Sequence, residues 1–227
     1  MSARFADPAA LSAPEGSRST ICVASAVGAR FHRTEIGLTV FGNDSKAIAV
    51  DAWGLNDVVG NRIAASLSGK ADVKQLSIPA SGIGTGPREF LSDPEQRLLT
   101  ALAPLAAANS CTSLIYVSEF TGRYGNTNVG MEGVGIAQGP IFGLTLLHAF
   151  FDMRYYAGQP LQMKTKKTGL SSDGQLPGFQ TAAQKNVDAA LWVAAEQIPG
   201  DARIRMAARE LIEEALNVTL PKLIALR

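Results

Sequence analysis

Short apolar runs separated by glycine, proline and polar turn residues recur along the chain, and they predict a β-sheet with helices packed on it. The continuous apolar run at 21–27 predicts a strand that is covered on both faces. Alternating residues at 36–40, turn residues at 42–45 and a second run at 47–50 predict a hairpin. Further strands are predicted at 73–78, 114–120, 129–137, 141–151 and 161–167.

Longer segments with apolar residues at three- and four-residue spacing predict helices. One such helix covers 55–67 and ends before Gly69. A second helix begins at a cap formed by Asp93 before Pro94. Pro104 is expected to kink or end that helix, because proline removes a backbone donor and clashes with the preceding turn.

Two more helices are predicted near the C-terminus. Thr181 and Gln184 have the spacing of a capping box, which predicts a helix that continues through Val193. The Pro-Gly-Asp sequence at 199–201 then caps a final helix, whose apolar residues within 204–216 lie on one side.

The order of these elements predicts an α/β (α+β mixed) fold. Crossover units alternate with hairpins, so we expect a mixed parallel and antiparallel sheet with helices packed on it. Residues 1–20 are predicted to be a flexible tail and residues 21–227 a single domain. The run 141–151 is apolar on both faces, which places it inside the sheet and makes His148 a hydrogen-bonded core residue.

Composition limits the classes of function. The 227 residues carry a formal net charge of +1, which gives no reason to expect a nucleic acid as partner. No segment has the roughly 20 consecutive apolar residues that a membrane-spanning helix needs. Cys22 and Cys111 are predicted to be small buried thiols. A single bridge is the alternative, if their strands are neighbours and the compartment is oxidising.

Polar loops follow three of the predicted strands and form a candidate anion-binding site. If the strands at 21–27, 73–78 and 114–120 are parallel, their loops emerge at one edge of the sheet, where open α/β sheets bind ligands. Guanidinium groups and glycine-rich backbone both stabilise negative charge. Plain solvated surface charge is the alternative. The candidate residues are Arg30, His32, Arg33, Ser81, Thr85, Arg88, Arg123, Tyr124, Asn126 and Asn128.

The remaining chemical motifs are weak, and no catalytic residue, metal site or cofactor is predicted. The glycine-rich segment 82–86 fits neither nucleotide-binding pattern. Ser25 follows a strand, but the glycines of a nucleophile elbow are missing around it. His32 and His148 are too few for a histidine-rich metal site.

The segment Phe151–Gly158, an apolar run followed by Asp, a small turn and Gly, resembles a segment of certain bacterial envelope proteins. These have a domain like the N-terminal domain of the Tol-Pal translocation protein or the curli-secretion lipoprotein. The strand-hairpin-helix order with Trp53-Gly54-Leu55 is similar as well. The resemblance implies a non-enzymatic module that assembles or binds partners in the periplasm, and it carries over no functional residues.

Two functional hypotheses follow. The first is an interaction or assembly module of a bacterial envelope system, with protein partners or homo-oligomerisation through sheet edges or terminal helices. The second is a small-molecule hydrolase or a nucleotide- or anion-binding protein that uses the cationic loop edge. The expected location is the periplasm if an export signal precedes this sequence, and the cytoplasm otherwise.

Overall fold

The computed structural model describes residues 19–38, 42–78, 93–123, 129–139, 143–164 and 179–224. The strands in these ranges are β1 (Thr20–Ala26), β2 (Arg30–Glu35), β3 (Asp44–Ala49), β4 (Asp72–Leu76), β5 (Ser113–Glu119), β6 (Thr121–Arg123), β7 (Gly130–Glu132), β8 (Val134–Gln138), β9 (Thr145–Ala157), β10 (Gln162–Met163) and β11 (Phe179–Val187). The helices are α1 (Leu55–Leu67), α2 (Pro94–Ala108) and α3 (Ala202–Ile224).

The main sheet is mixed and has the order β3-β2-β8-β9-β5-β1-β4, with β10 and β11 also paired to β9. Strand β1 runs parallel to β4 and β5, and β2 runs parallel to β8. Strand β9 is antiparallel to all of its neighbours. The predicted fold class is confirmed, and so is the parallel direction of the strands at 21–27, 73–78 and 114–120.

The 13-residue strand β9 is long enough to pair with two different strands along one of its edges. Ala149 is paired with β8 on one edge and with β11 on the other, whereas Phe151 is paired with β5 and β11. Strands β8 and β5 therefore share one edge of β9, one after the other. The backbone N–H of Phe150 donates to Gly133 O at 3.0 Å, and its carbonyl accepts from Phe120 N at 3.3 Å. The predicted inner strand at 141–151 is confirmed from Thr145 onward, and residues 141–142 lie outside the described ranges.

Each face of the sheet has its own apolar core. Helices α1 and α3 cover one face, where the odd-numbered residues of β9 pack. Helix α2 covers β1, β5 and the end of β9 on the opposite face. The β6–β7 hairpin covers Phe150 on that same face. No described helix is long and apolar enough to cross a membrane.

Helices α1 and α2 begin where the sequence predicts. The Asp93 carboxylate caps α2 by accepting from Glu95 N at 2.9 Å. Of the two effects predicted for Pro104, an end of the helix is wrong, because α2 continues to Ala108. Leu102 and Ala106 are buried on either side of the proline, and their packing offsets its local cost.

The C-terminal region contains one described α-helix where two were predicted. Residues 181–187 belong to β11 and pair with β9 over the full length of β11, so the predicted helix at 181–193 is wrong. The Thr181 hydroxyl donates to Ala215 O at 2.7 Å and does not cap a helix. Helix α3 is confirmed, with Asp201 Oδ1 accepting from Arg203 N at 2.8 Å.

A hairpin is present, but its first strand is β2 at 30–35. Of the predicted strand at 36–40, residues 36–38 follow β2 without being part of it, and residues 39–40 lie outside the described ranges. The polar segment that contains Arg30, His32 and Arg33 is therefore a strand and not a loop. Strand β2 is paired on both sides, and Phe31 is completely buried, so alternation within it outweighs its polar composition.

Two further predicted strands differ in detail. The segment 129–137 is interrupted at Gly133, whose φ of +53° separates β7 from β8. Of the predicted returning strand at 161–167, Gln162–Met163 form β10, and residues 165–167 lie outside the described ranges. The predicted tail is described only for residues 19–20, and Thr20 is already part of β1.

Candidate functional site

The carboxyl-terminal edge of the parallel strands contains a cavity of about 220 Å³. It lies beside the first turn of α1, where β1 and β4 end. Strands and a helix supply most of its lining, so its shape is fixed by regular structure. The lining residues are Val23, Ser25, Asn56, Asp57, Gly60, Gln75, Leu76, Ser77 and Ile78.

Asn56 organises the β1 side of this cavity. Its Oδ1 accepts from Ser25 Oγ at 2.9 Å, from Val27 N at 3.0 Å and from Gly28 N at 3.3 Å. Backbone N–H groups only donate, which fixes the orientation of the Asn56 amide. The hydroxyl of Ser25 is used to hold the end of β1 against α1, a structural role.

The described members of the predicted anion site do not converge. The side chains of His32 and Arg33 lie on opposite faces of β2, because successive residues of a strand alternate. The Arg33 guanidinium lies 3.6 Å from the centre of the Trp192 ring and donates to Val193 O at 3.1 Å. Arg30 is exposed at the start of β2. Arg123 is exposed in β6, and its carbonyl accepts from a glutamine side chain of β11.

The other predicted members of this site lie outside the described residues. They are Ser81, Thr85, Arg88, Tyr124, Asn126 and Asn128. The anion site therefore stays a prediction.

A buried histidine cluster lies where β2, β8 and β9 are adjacent in the sheet. His148 is completely buried, and its Nδ1 lies 3.1 Å from Gly133 O. Burial lowers its pKa to about 3, so the ring is neutral. The predicted core histidine is confirmed. His32 Nε2 lies 3.9 Å from Glu119 Oε2. A Cβ at Gly135 would overlap the His32 carbonyl oxygen and His148 Nε2, so only glycine fits at this close approach.

Within the described ranges, no three His, Cys, Asp or Glu side chains are arranged to hold a metal ion. The buried Nε2 atoms of His32 and His148 and the Oε1 atom of Glu119 have no hydrogen-bond partner. The cluster is therefore a polar core that includes unpaired atoms and has no metal-binding geometry.

A buried ionic cluster joins β9 to the first turn of α2. Arg154 donates to Asp152 Oδ2 from Nη2 at 2.8 Å and from Nε at 2.9 Å, and to Glu95 Oε2 at 3.3 Å. Asp152 and Arg154 are each only 5% exposed. Burial raises the pKa of Asp152, although Arg154 opposes the shift. Burial disfavours the charged form of Arg154, but the adjacent Asp152 outweighs it and raises the pKa of Arg154.

The cluster lies within the sheet, because β9 continues through it to Ala157. Tyr156 is completely buried beside Glu95, and burial together with that carboxylate raises the pKa of its hydroxyl. Sequence reasoning missed the cluster because charged residues in a strand are usually exposed. The one available signal was the opposite charges of Asp152 and Arg154, two residues apart and therefore on one strand face.

The two cysteines form a disulfide, which corrects the prediction of buried free thiols. Cys22 in β1 is bonded to Cys111, which precedes β5, across 89 residues of sequence. Strands β1 and β5 are neighbours, which meets the structural one of the two conditions set for the alternative. Helix α2 is thus held at both ends, by Glu95 near its start and by Cys111 after its end.

Comparison with known proteins gives structural likeness only. No family model matches the chain, and no curated protein matches its sequence. The PelC dodecamer from Paraburkholderia phytofirmans is 10% identical, with 90% of this chain and 92% of that chain covered and a TM-score of 0.32. XCC0632 from Xanthomonas campestris, a DUF330 protein, is 9% identical over 93% and 88%, with a TM-score of 0.39. Lipoprotein GNA1162 from Neisseria meningitidis is 10% identical over 83% and 98%, with a TM-score of 0.31.

These neighbours are bacterial proteins, of which one is a lipoprotein and one a dodecamer. The resemblance to envelope proteins with a Tol-Pal-like or curli-like domain stays a prediction at these identities and TM-scores. At TM-scores below 0.5 the likeness carries no argument about activity, and the functional conclusion rests on the chain itself.

Proposed function

We propose that this chain is an assembly module of a bacterial envelope system and that it associates through the free edge of β3. The observation that carries the proposal is the exposure of this strand. Among the described strands, β3 is the last on its side of the sheet, and five of its six side chains are exposed, with only Ile48 half-buried. An edge strand with unpaired backbone groups is a template for strand addition.

The backbone of β3 alternates between groups that face β2 and groups that face outward. The N–H of Val50 donates to Ala29 O at 2.7 Å, toward β2. Because successive N–H groups of a strand point to opposite sides, those of Ser45, Ala47 and Ala49 point away from β2. These outward groups are available to a second strand.

The charges on β3 favour a second copy of the same strand. Asp44 lies opposite Glu35 of β2 and Lys46 lies opposite Arg33, so each charge has a like charge beside it in the sheet. Like charges directly opposite one another are destabilising. An antiparallel pair of β3 strands centred on Ser45 places Asp44 opposite Lys46 of the second copy, and does so twice.

The Cys22–Cys111 disulfide supports an envelope location. Disulfides persist in oxidising compartments such as the bacterial periplasm and are rare in the cytoplasm. The half-cystines are 0% and 5% exposed, so the bond forms part of the core. A protein that depends on this bond folds best where thiols are oxidised.

Light scattering after size exclusion of the oxidised protein tests the assembly. We expect a mass above the 23.9 kDa of one chain. Ala47→Pro removes an outward N–H and blocks the edge, and it should lower the mass to that of one chain. Ala47→Val keeps the N–H and serves as the matched control. A parent protein that is monomeric at all concentrations would contradict the proposal.

A second candidate function is anion binding at the cationic loop edge. The observation in its favour is that β1 runs parallel to β4 and β5, so the chain leaves these three strands at the same edge of the sheet. Thermal shifts of the parent protein with phosphate, sulfate and nucleotides test it, with Arg88→Ala and Arg123→Ala as variants. Stabilisation that these variants abolish would favour this function, and its absence would remove it.

A further inference from the structure

The cavity at the end of β1 and β4 presents both donors and acceptors from fixed positions. Oδ1 of Asn56 already accepts three hydrogen bonds, so this amide offers its N–H groups to a ligand. Gln75 Nε2 donates to Asn61 Oδ1 at 2.8 Å, so Gln75 offers its carbonyl oxygen. The Ser77 hydroxyl can do either. A matching ligand must accept and donate at neighbouring positions.

The charge of the cavity restricts the ligand further. Asp57 adds an exposed carboxylate in the first turn of α1, and no Lys or Arg is among the described residues that line the cavity. A phosphate or sulfate group only accepts and would be repelled by Asp57. An ammonium group only donates and would leave the N–H groups of Asn56 unused.

We propose that this cavity binds a neutral polyhydroxy ligand, a sugar or a related polyol. Each hydroxyl of such a ligand both donates and accepts, so one hydroxyl can accept from Asn56 while the next donates to Asp57 or Gln75. Val23, Leu76 and Ile78 supply apolar surface for the carbon atoms of the ring. This binding site does not depend on assembly through β3.

Gly60 gives a way to close the cavity without disturbing the fold. An added Cβ at this helical position would overlap the carboxamide end of Gln75 and displace it. Gly60→Ala therefore blocks the site, and Gln75→Leu removes one acceptor from an exposed side chain. Gly200→Ala is the matched control, because a Cβ there meets nothing within 4 Å.

Saturation-transfer NMR and thermal shift with glucose, galactose, N-acetylglucosamine and glycerol test the proposal, with inorganic phosphate and methylammonium as charged probes. We expect at least one hydroxylated probe to bind the parent protein and Gly200→Ala at concentrations up to about 50 mM. Gly60→Ala and Gln75→Leu should weaken that binding at least about tenfold.

Three results would overturn the proposal. The first is no binding of any hydroxylated probe, and the second is sugar binding that Gly60→Ala leaves unchanged. The third is tighter binding of phosphate or methylammonium that Gly60→Ala abolishes, which would assign the cavity to a charged ligand.

Discussion

At the scale of single residues, His148 makes the stability of the protein depend on pH. Its pKa is lowered to about 3 by burial, whereas an unfolded histidine titrates near 6.5. Between these values the unfolded chain binds a proton that the folded chain does not, so stability falls as the pH falls through this window. From pH 7 to pH 5 this histidine alone should reduce the free energy of unfolding by about 2 kcal/mol.

Urea unfolding of the parent protein and of His148→Asn at both pH values measures this effect. Asparagine keeps a donor near the position of Nδ1 but does not titrate. The difference between the two proteins isolates His148 from other titrating groups. Equal pH dependence in both proteins would contradict this account, because it would show that folding leaves the pKa of His148 unchanged.

Arg154 is the residue on which the ionic cluster depends. Its removal leaves the Asp152 and Glu95 carboxylates buried without a cation, and breaking a buried pair in this way costs about 3–5 kcal/mol. Arg154→Met should lower the free energy of unfolding by this amount in urea. Arg209→Met is the control, because its 3.8 Å pair with Glu213 is exposed and is expected to contribute about 0–1 kcal/mol. Equal losses in the two variants would contradict the role of Arg154.

The two clusters differ in how far the sequence reveals them. His148 is predictable because it shares a strand face with Leu146 and Phe150, and the whole run is apolar. Asp152 and Arg154 are not, because burial of a charge depends on partners that the local pattern does not contain. Glu95 completes this cluster from 59 residues away.

At the scale of elements, the disulfide fixes α2 to β1. In the chain-entropy model a bond that closes a loop of this length contributes about 4.5 kcal/mol, within the 2–5 kcal/mol typical of native disulfides. The double variant Cys22→Ala/Cys111→Ala should lose stability in that range. Reductant should lower the urea midpoint of the parent protein and leave that of the variant unchanged.

A parent protein whose urea midpoint does not respond to reductant would contradict this role. Ellman titration of the denatured protein provides the control, since it counts free thiols directly. We expect none before reduction and two afterward, from Cys22 and Cys111.

Elements whose own sequence contains the pattern of buried residues are predicted well. Elements whose secondary structure depends on pairing with a strand distant in sequence are not. Helix α1 and helix α3 each carry their own apolar stripe, and both form as expected. Strand β11 is polar enough to fit a capped helix, and only its pairing with β9 makes it a strand. Strand β2 likewise forms a strand because it pairs with β3 and β8.

At the scale of the whole molecule, the mixed sheet and its parallel edge follow from the order of elements. The cavity at that edge is where the sequence places a site, but its described lining differs from the cationic one expected. Alternation in β2 turns Arg33 toward Trp192 and away from the side of His32. A loop and a strand give the same residues different directions, and composition alone does not distinguish them.

Assembly through β3 is the central claim of this account, and a charge reversal tests it most directly. In the self-paired strand, Lys46→Asp places Asp44 opposite a second carboxylate twice, whereas Asp44→Lys/Lys46→Asp restores opposite charges. Both side chains are exposed, so the fold should not change. Light scattering at matched concentrations should show the parent and the double variant as oligomers and Lys46→Asp as a monomer of 23.9 kDa. The same mass for all three proteins would contradict the account.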